Sequence, residues 1–145
     1  MNWPAPQPGL VIRYSYLWER EAREGQEEGV KDRPCAIILA LLRENDAPIV
    51  RVLPITHAAP ADPADGFEIP LATKRRLGLD SDRSWVVLTE ANDFIWPGPD
   101  LRPAVSGDPS SVAYGMLPPG FMTALRARLI ARWRAGPVRL VGRTE

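Results

Sequence analysis

The stretch PCAIILALL, Pro34 to Leu42, sets a proline ahead of eight uninterrupted apolar residues, and its reading decides the fold class. Its length and continuous apolar character read as a buried strand with cover on both faces. Immediately before it, GVKDR (Gly29 to Arg33) is a charged turn that leaves an arginine at the strand's mouth. Immediately after it, ENDAP supplies a turn and IVRVLPI, Ile49 to Ile55, alternates in its first half, so the two runs pair naturally as a hairpin.

Further out, LVIRYSYL (Leu10 to Leu17) is rich in β-branched and aromatic residues behind Pro8 and Gly9, and predicts a first strand. Between it and the hairpin, Trp18 to Asp32 holds five glutamates and little apolar content, which predicts an exposed excursion with a helical turn before Gly25. Beyond the hairpin, THAAPADPADG is a loop, Phe67 to Leu71 is extended, and ATKRRLG is a short helix closed by Gly78. SWVVLTE, Ser84 to Glu90, is a further buried strand, and ANDFIWPG adds a last short one. After a proline- and glycine-rich stretch, FMTALRARLIARWRAG recovers a 3.6-residue period with Phe121, Leu125, Leu129 and Trp133 on one stripe, stopped by Gly136 and Pro137. The sum is five or six short antiparallel strands covered by one amphipathic C-terminal helix over about residues 119–135, an α+β, mainly β arrangement or small barrel in a single domain spanning 1–145.

Composition removes several classes of chemistry. His57 is the only histidine and Cys35 the only cysteine, so neither a histidine pair, a Cys/His cluster nor a disulfide framework is available, and no metal or cofactor is expected. Cys35, inside the apolar run, reads as a small core residue in a reducing cytoplasm. No glycine-rich phosphate loop and no nucleophile elbow occurs. Eighteen basic residues balance 18 acidic ones, so net charge points to no partner, although the last 25 residues carry six arginines against one glutamate. No apolar run reaches the roughly 18 residues of a membrane span, and the N-terminus lacks a secretory pattern, which predicts a cytoplasmic protein with no membrane partner. What remains is polar residues at strand ends: Lys31, Asp32 and Arg33, then Thr56 and His57, then Glu90, Asn92 and Asp93. Strand ends are where a rigid scaffold presents chemistry.

The ordered succession PGLVIRYSY, KDRPCAIIL, VLPITH, IPL with LGL, and SWVVLTEAN resembles the PemK/MazF family of toxin endoribonucleases over residues 9–102. The resemblance implies an SH3-like small β-barrel with a C-terminal helix, working as a homodimer. It implies metal-independent cleavage of single-stranded RNA that leaves a cyclic phosphate, and a cognate antitoxin that blocks the groove. It places the family's catalytic arginine on Arg33 and its catalytic threonine on Thr56. A guanidinium fork suits the charge that builds on phosphorus during transesterification, and Thr56 would hydrogen-bond the phosphate. Neither ionises readily, which leaves the base open, with His57 next to Thr56 as a candidate that strand alternation would turn to the opposite face. Lys31, Glu90 and Asn92 are auxiliary candidates; Thr89 and Glu90 stand where the family commonly has an acidic residue and a glutamine. The plainer alternatives are an Arg33 paired with Asp32, a Thr56 hydroxyl satisfying the backbone, and a non-catalytic SH3-like barrel that binds a partner or nucleic acid without cleaving it.

Overall fold

The computed structural model of the chain describes residues 3–26, 29, 31–105, 108 and 111–143; Glu27, Glu28 and Val30 of the acidic excursion lie outside the described residues. Along the chain run β1 (Leu10–Tyr14), α1 (Glu19–Arg23), β2 (Arg33–Arg43), β3 (Asp46–Thr56) and β4 (Gly66–Glu68). They are followed by α2 (Leu71–Arg76), β5 (Trp85–Val87), β6 (Glu90–Ile95), β7 (Ala113–Met116), α3 (Pro119–Ala135) and β8 (Arg139–Gly142).

The hairpin of β2 and β3 is the spine of the fold. Its turn is only Glu44 and Asn45, with Asn45 taking the left-handed conformation at φ +60° that asparagine tolerates. The register sets Cys35 opposite Pro54 and Ile37 opposite Val52. On one side β1 pairs with β2, Tyr14 standing opposite Arg33, and β7 extends the sheet beyond β1. On the other side β3 divides its partners: Ile49 to Val52 pair with β6, while Ile55 and Thr56 pair with β5, which carries β4. All these pairs are antiparallel; β8 alone joins in parallel, beside β6. Among the described residues no ladder connects the outermost strands, so the eight-stranded sheet is open.

Alternation sorts the strands into two cores, one on each face of the sheet. Val11, Ala36, Leu53 and Ile55 point to the face covered by α2 and α3, where they meet Leu77, Met122, Leu125 and Leu129. Ile12, Tyr14, Cys35, Ile37, Val50 and Val52 point to the other, closed by Phe94, Trp96, Leu101 and Val112. The helical stripe is as the period predicts, with Leu125 and Leu129 buried and Phe121 and Trp133 packed at its margin. Cys35 is fully buried, and burial pushes its thiol well above the ordinary value, so it is an inert core residue.

Three expectations need correction. Double-faced cover of the apolar run ends at Ile37, for Leu39, Leu41 and Leu42 are 48, 53 and 74% exposed: the strand outruns the elements packed on it. The first strand stops at Tyr14, and the glutamate-rich segment after it is not all exposed, because Glu21 in α1 is buried and accepts the Trp18 N–H at 3.0 Å. Two strands escape sequence reading, β7 and β8, each four residues among prolines and glycines whose pairing partners lie far away in the chain. No helix among the described residues is long and apolar enough to cross a membrane.

Candidate functional site

Two residues 23 apart in sequence meet because of the hairpin register. Extending the Cys35–Pro54 pairing by two residues sets Arg33 beside Thr56, at the edge of the second core where the sheet opens to solvent. A cleft of about 530 Å³ begins there, with Lys31, Arg33, Thr56 and His57 on its wall together with Trp18 and Asp80.

Arg33 is held by two contacts of different kinds and keeps one polar atom unpartnered. Its guanidinium lies over the Trp18 ring at 4.9 Å, Nη1 donates to the Ile55 carbonyl at 3.4 Å, and Nε is buried with no hydrogen-bond partner. Burial holds its pKa below the ordinary value and the nearby Arg20 adds repulsion, yet a guanidinium in this range stays charged. Asp32, the neighbour that a plain strand-end arginine would use, faces Arg102 at 3.6 Å and Arg13 at 4.0 Å instead. Among the described residues no carboxylate is ion-paired with Arg20, Lys31 or Arg33; Asp32 lines the same cleft but turns to Arg13 and Arg102, and Glu21 attracts the Arg33 guanidinium without bonding it.

Thr56 is the last residue of β3, and its Oγ1 accepts the Ala58 N–H at 3.2 Å. That bond closes a small turn and leaves the hydroxyl proton free to donate to a bound group. His57 lines the same cleft as Thr56, contrary to the alternation expectation: the strand ends at Thr56, so period two no longer governs the next residue.

Glu90 and Asn92 lie elsewhere. Glu90 opens β6 rather than ending the preceding strand, and its Oε1 accepts the Tyr16 hydroxyl at 3.1 Å and the Glu19 N–H at 3.0 Å. Asn92, fully buried, accepts the Leu17 N–H at 2.9 Å and donates to the Leu17 carbonyl at 2.8 Å. Their polar atoms are used in pinning the segment that presents Trp18, so they buttress the cleft wall without lining it. Several of the C-terminal arginines are likewise engaged within the chain. Arg132 Nε donates to Asp65 at 2.7 Å, Arg128 Nη2 to the Pro63 carbonyl at 3.0 Å, and Arg143 lies 3.0 Å from Asp100 and 2.8 Å from the Ser15 carbonyl.

Sequence reasoning overlooked Trp18, Lys74 and Asp80. Lys74 is 1% exposed, and its ammonium donates to the Asp80 carboxylate and the Asp82 carbonyl. The contact exists because α2 ends in a glycine turn: Gly78 sits at φ +71°, its N–H returns to the Arg75 carbonyl and the Leu79 N–H to that of Lys74, so the chain doubles back. The usable signal was Gly78, which marks a reversal that brings an aspartate two residues later near the helix it ends. The other Asp80 oxygen meets His57 Nε2 at 2.7 Å. Lys74 foremost, with His57 adding to it, holds the Asp80 carboxyl below the usual carboxylate range.

Comparison with protein-family models and with curated proteins finds no match to this chain.

Proposed function

We propose that the chain is a PemK/MazF-like toxin endoribonuclease, acting in the cytoplasm as a homodimer on an SH3-like barrel and neutralised by a cognate antitoxin. Sequence-specific cleavage of single-stranded RNA would proceed without a metal: the 2′-oxygen bonds to phosphorus, the bond from phosphorus to the 5′-oxygen breaks, and the products end in a cyclic phosphate and a 5′-hydroxyl. The observation that carries the proposal is Arg33, a guanidinium braced on Trp18 and the Ile55 carbonyl with no ion-pair partner among the described residues.

A planar fork held in this way is arranged for two phosphoryl oxygens at once, and with no direct ion pair among the described residues it has no bonded carboxylate to release before an anion binds. Thr56 supplies a hydroxyl donor to the same phosphate, and Lys31 and Arg20 favour the RNA backbone on either side. Preorganised donors of this kind stabilise charge that grows in the transition state, each contributing about 2.7–4 kcal/mol.

The test is cleavage of a long single-stranded RNA by purified protein in EDTA, with new 5′ ends mapped. Arg33→Ala and Thr56→Ala are expected to abolish most cleavage, and equal cleavage by both variants and the parent would remove the site assignment. The burial of Glu90 and Asn92 away from the cleft favours one other reading, a barrel that binds a partner or nucleic acid without cutting. RNA binding with no new ends, and no growth arrest on expression, would establish that reading instead.

A further inference from the structure

We infer that His57 is the general base of this site and that Asp80, anchored by the buried Lys74, is the positioning residue that makes it one; the inference rests on the endoribonuclease reading above. Arg33 and Thr56 can bind and polarise a phosphate, but neither removes the proton of the attacking 2′-hydroxyl, so the reaction lacks a base unless the cleft supplies one. His57 is on the same wall, and its ring is not left to rotate: Nε2 is 2.7 Å from Asp80 Oδ2. A carboxylate only accepts, so Nε2 carries the proton and Nδ1 is the basic nitrogen.

The anchoring of Asp80 is out of proportion to a surface ion pair. Lys74 is buried to 1% exposure, where an ammonium is costly unless fully partnered, and it commits its donors to Asp80 and to the Asp82 carbonyl. The Asp82 N–H donates to the same Asp80 oxygen at 3.1 Å. Asp80 thus has one oxygen fixed by two donors and the other facing the histidine, the arrangement by which a third group orients a base. The side chains of His57, Asp80 and Asp82 could also be taken for a cation site, since their ligand atoms lie within 4.8 Å of one another, but the Lys74 ammonium already fills the cationic place among them.

The step balances without an added reactant. The 2′-oxygen gives its proton to Nδ1 as it bonds to phosphorus, and Asp80 stabilises the imidazolium formed at the other nitrogen. The departing 5′-oxygen takes a proton from water, and the hydroxide left behind recovers the proton from the imidazolium. Arg33 stays charged throughout and faces the non-bridging oxygens.

The experiment measures RNA cleavage in EDTA by the untagged chain, by His57→Ala, by Asp80→Ala and by the double variant, with circular dichroism to establish that each folds. His57 is more than half exposed, so His57→Ala is compatible with folding; because Asp80→Ala strands the buried Lys74 ammonium, Asp80→Asn, which keeps a polar partner for it, is measured beside it. Loss of a general base slows cleavage roughly 10²–10⁴-fold, and loss of its positioning residue slows it roughly 10²-fold. Two further readouts separate a base and its orienter from mere scaffolding: free imidazole in the buffer restores part of the His57→Ala rate, and the double variant is no slower than His57→Ala. Lys74→Met, which fills the buried site with an apolar chain of similar length, is expected to lose as much as Asp80→Ala. A His57→Ala variant that cleaves at the parent rate, does not respond to imidazole, or loses activity additively with Asp80→Ala overturns the assignment and leaves the nuclease intact. A parent chain that cleaves no RNA overturns the nuclease reading, and the base assignment falls with it, before any variant is made.

Discussion

Arg33 shows how one residue's meaning depends on what its neighbours are doing. In sequence it is an arginine after an aspartate; in the structure that aspartate belongs to Arg13 and Arg102, and Arg33 is left to stack on Trp18. Because both the fork and the stacked plane are used, lysine is not a conservative replacement. Arg33→Ala is expected to slow RNA cleavage roughly 10²–10³-fold, and Arg33→Lys to recover little of it, measured as initial rates at saturating RNA. Asp80 carries a second prediction, in pH rather than rate. Its folded pKa lies below the ordinary value, so its contribution to stability is complete above the unfolded aspartate pKa of about 3.9 and disappears as pH falls through the lower folded value. The stability difference between the parent and Asp80→Asn, followed by urea unfolding, should therefore be constant at neutral pH and shrink in acid. Arg33, Thr56 and His57 were legible because they flank two runs that pair as a hairpin. Trp18 and Lys74 were not, since a tryptophan among glutamates and a lysine in KRR look solvated until their distant partners are known.

At the scale of elements, β6 and the turn after α2 decide the cleft as much as the hairpin does. Asn92 on β6 completes both backbone groups of Leu17, a segment with no sheet partner of its own at that point. Asn92→Ala leaves a buried N–H and a buried carbonyl unpaired, and should cost about 2–4 kcal/mol in urea unfolding. It should also weaken RNA binding, because the segment it releases carries Trp18. Helix α3 has the opposite lesson. Its apolar stripe was readable from the 3.6 period, whereas its arginines, which by sequence suit a nucleic-acid surface, are partly spent on Asp65 and the Pro63 carbonyl.

For the whole molecule, what matters is where cover on the sheet begins and ends. Ile37 is buried between layers, while Leu41, four residues on and identical in pattern, is exposed. Ile37→Ala is expected to destabilise by about 2–5 kcal/mol, and Leu41→Ser by less than about 0.5 kcal/mol, both by chemical denaturation. Equal losses would mean that the outer half of β2 is covered in solution. The open sheet follows from the same geography: β3 sends its two halves to β6 and β5, and β8 arrives from beyond the last helix to pair in parallel.

The sequence by itself determined the mainly β character, the β2–β3 hairpin, the covering C-terminal helix and the strand ends at which Arg33, Thr56 and His57 stand. All of these depend on periodicity, turn chemistry and register, which are local. Only the tertiary structure decided that Asp32 turns away from Arg33, that Glu90 and Asn92 are buttresses, and that Asp80, held by Lys74, reaches His57. Each of those depends on which distant group claims a given charge or hydrogen bond first, and that competition is settled by packing.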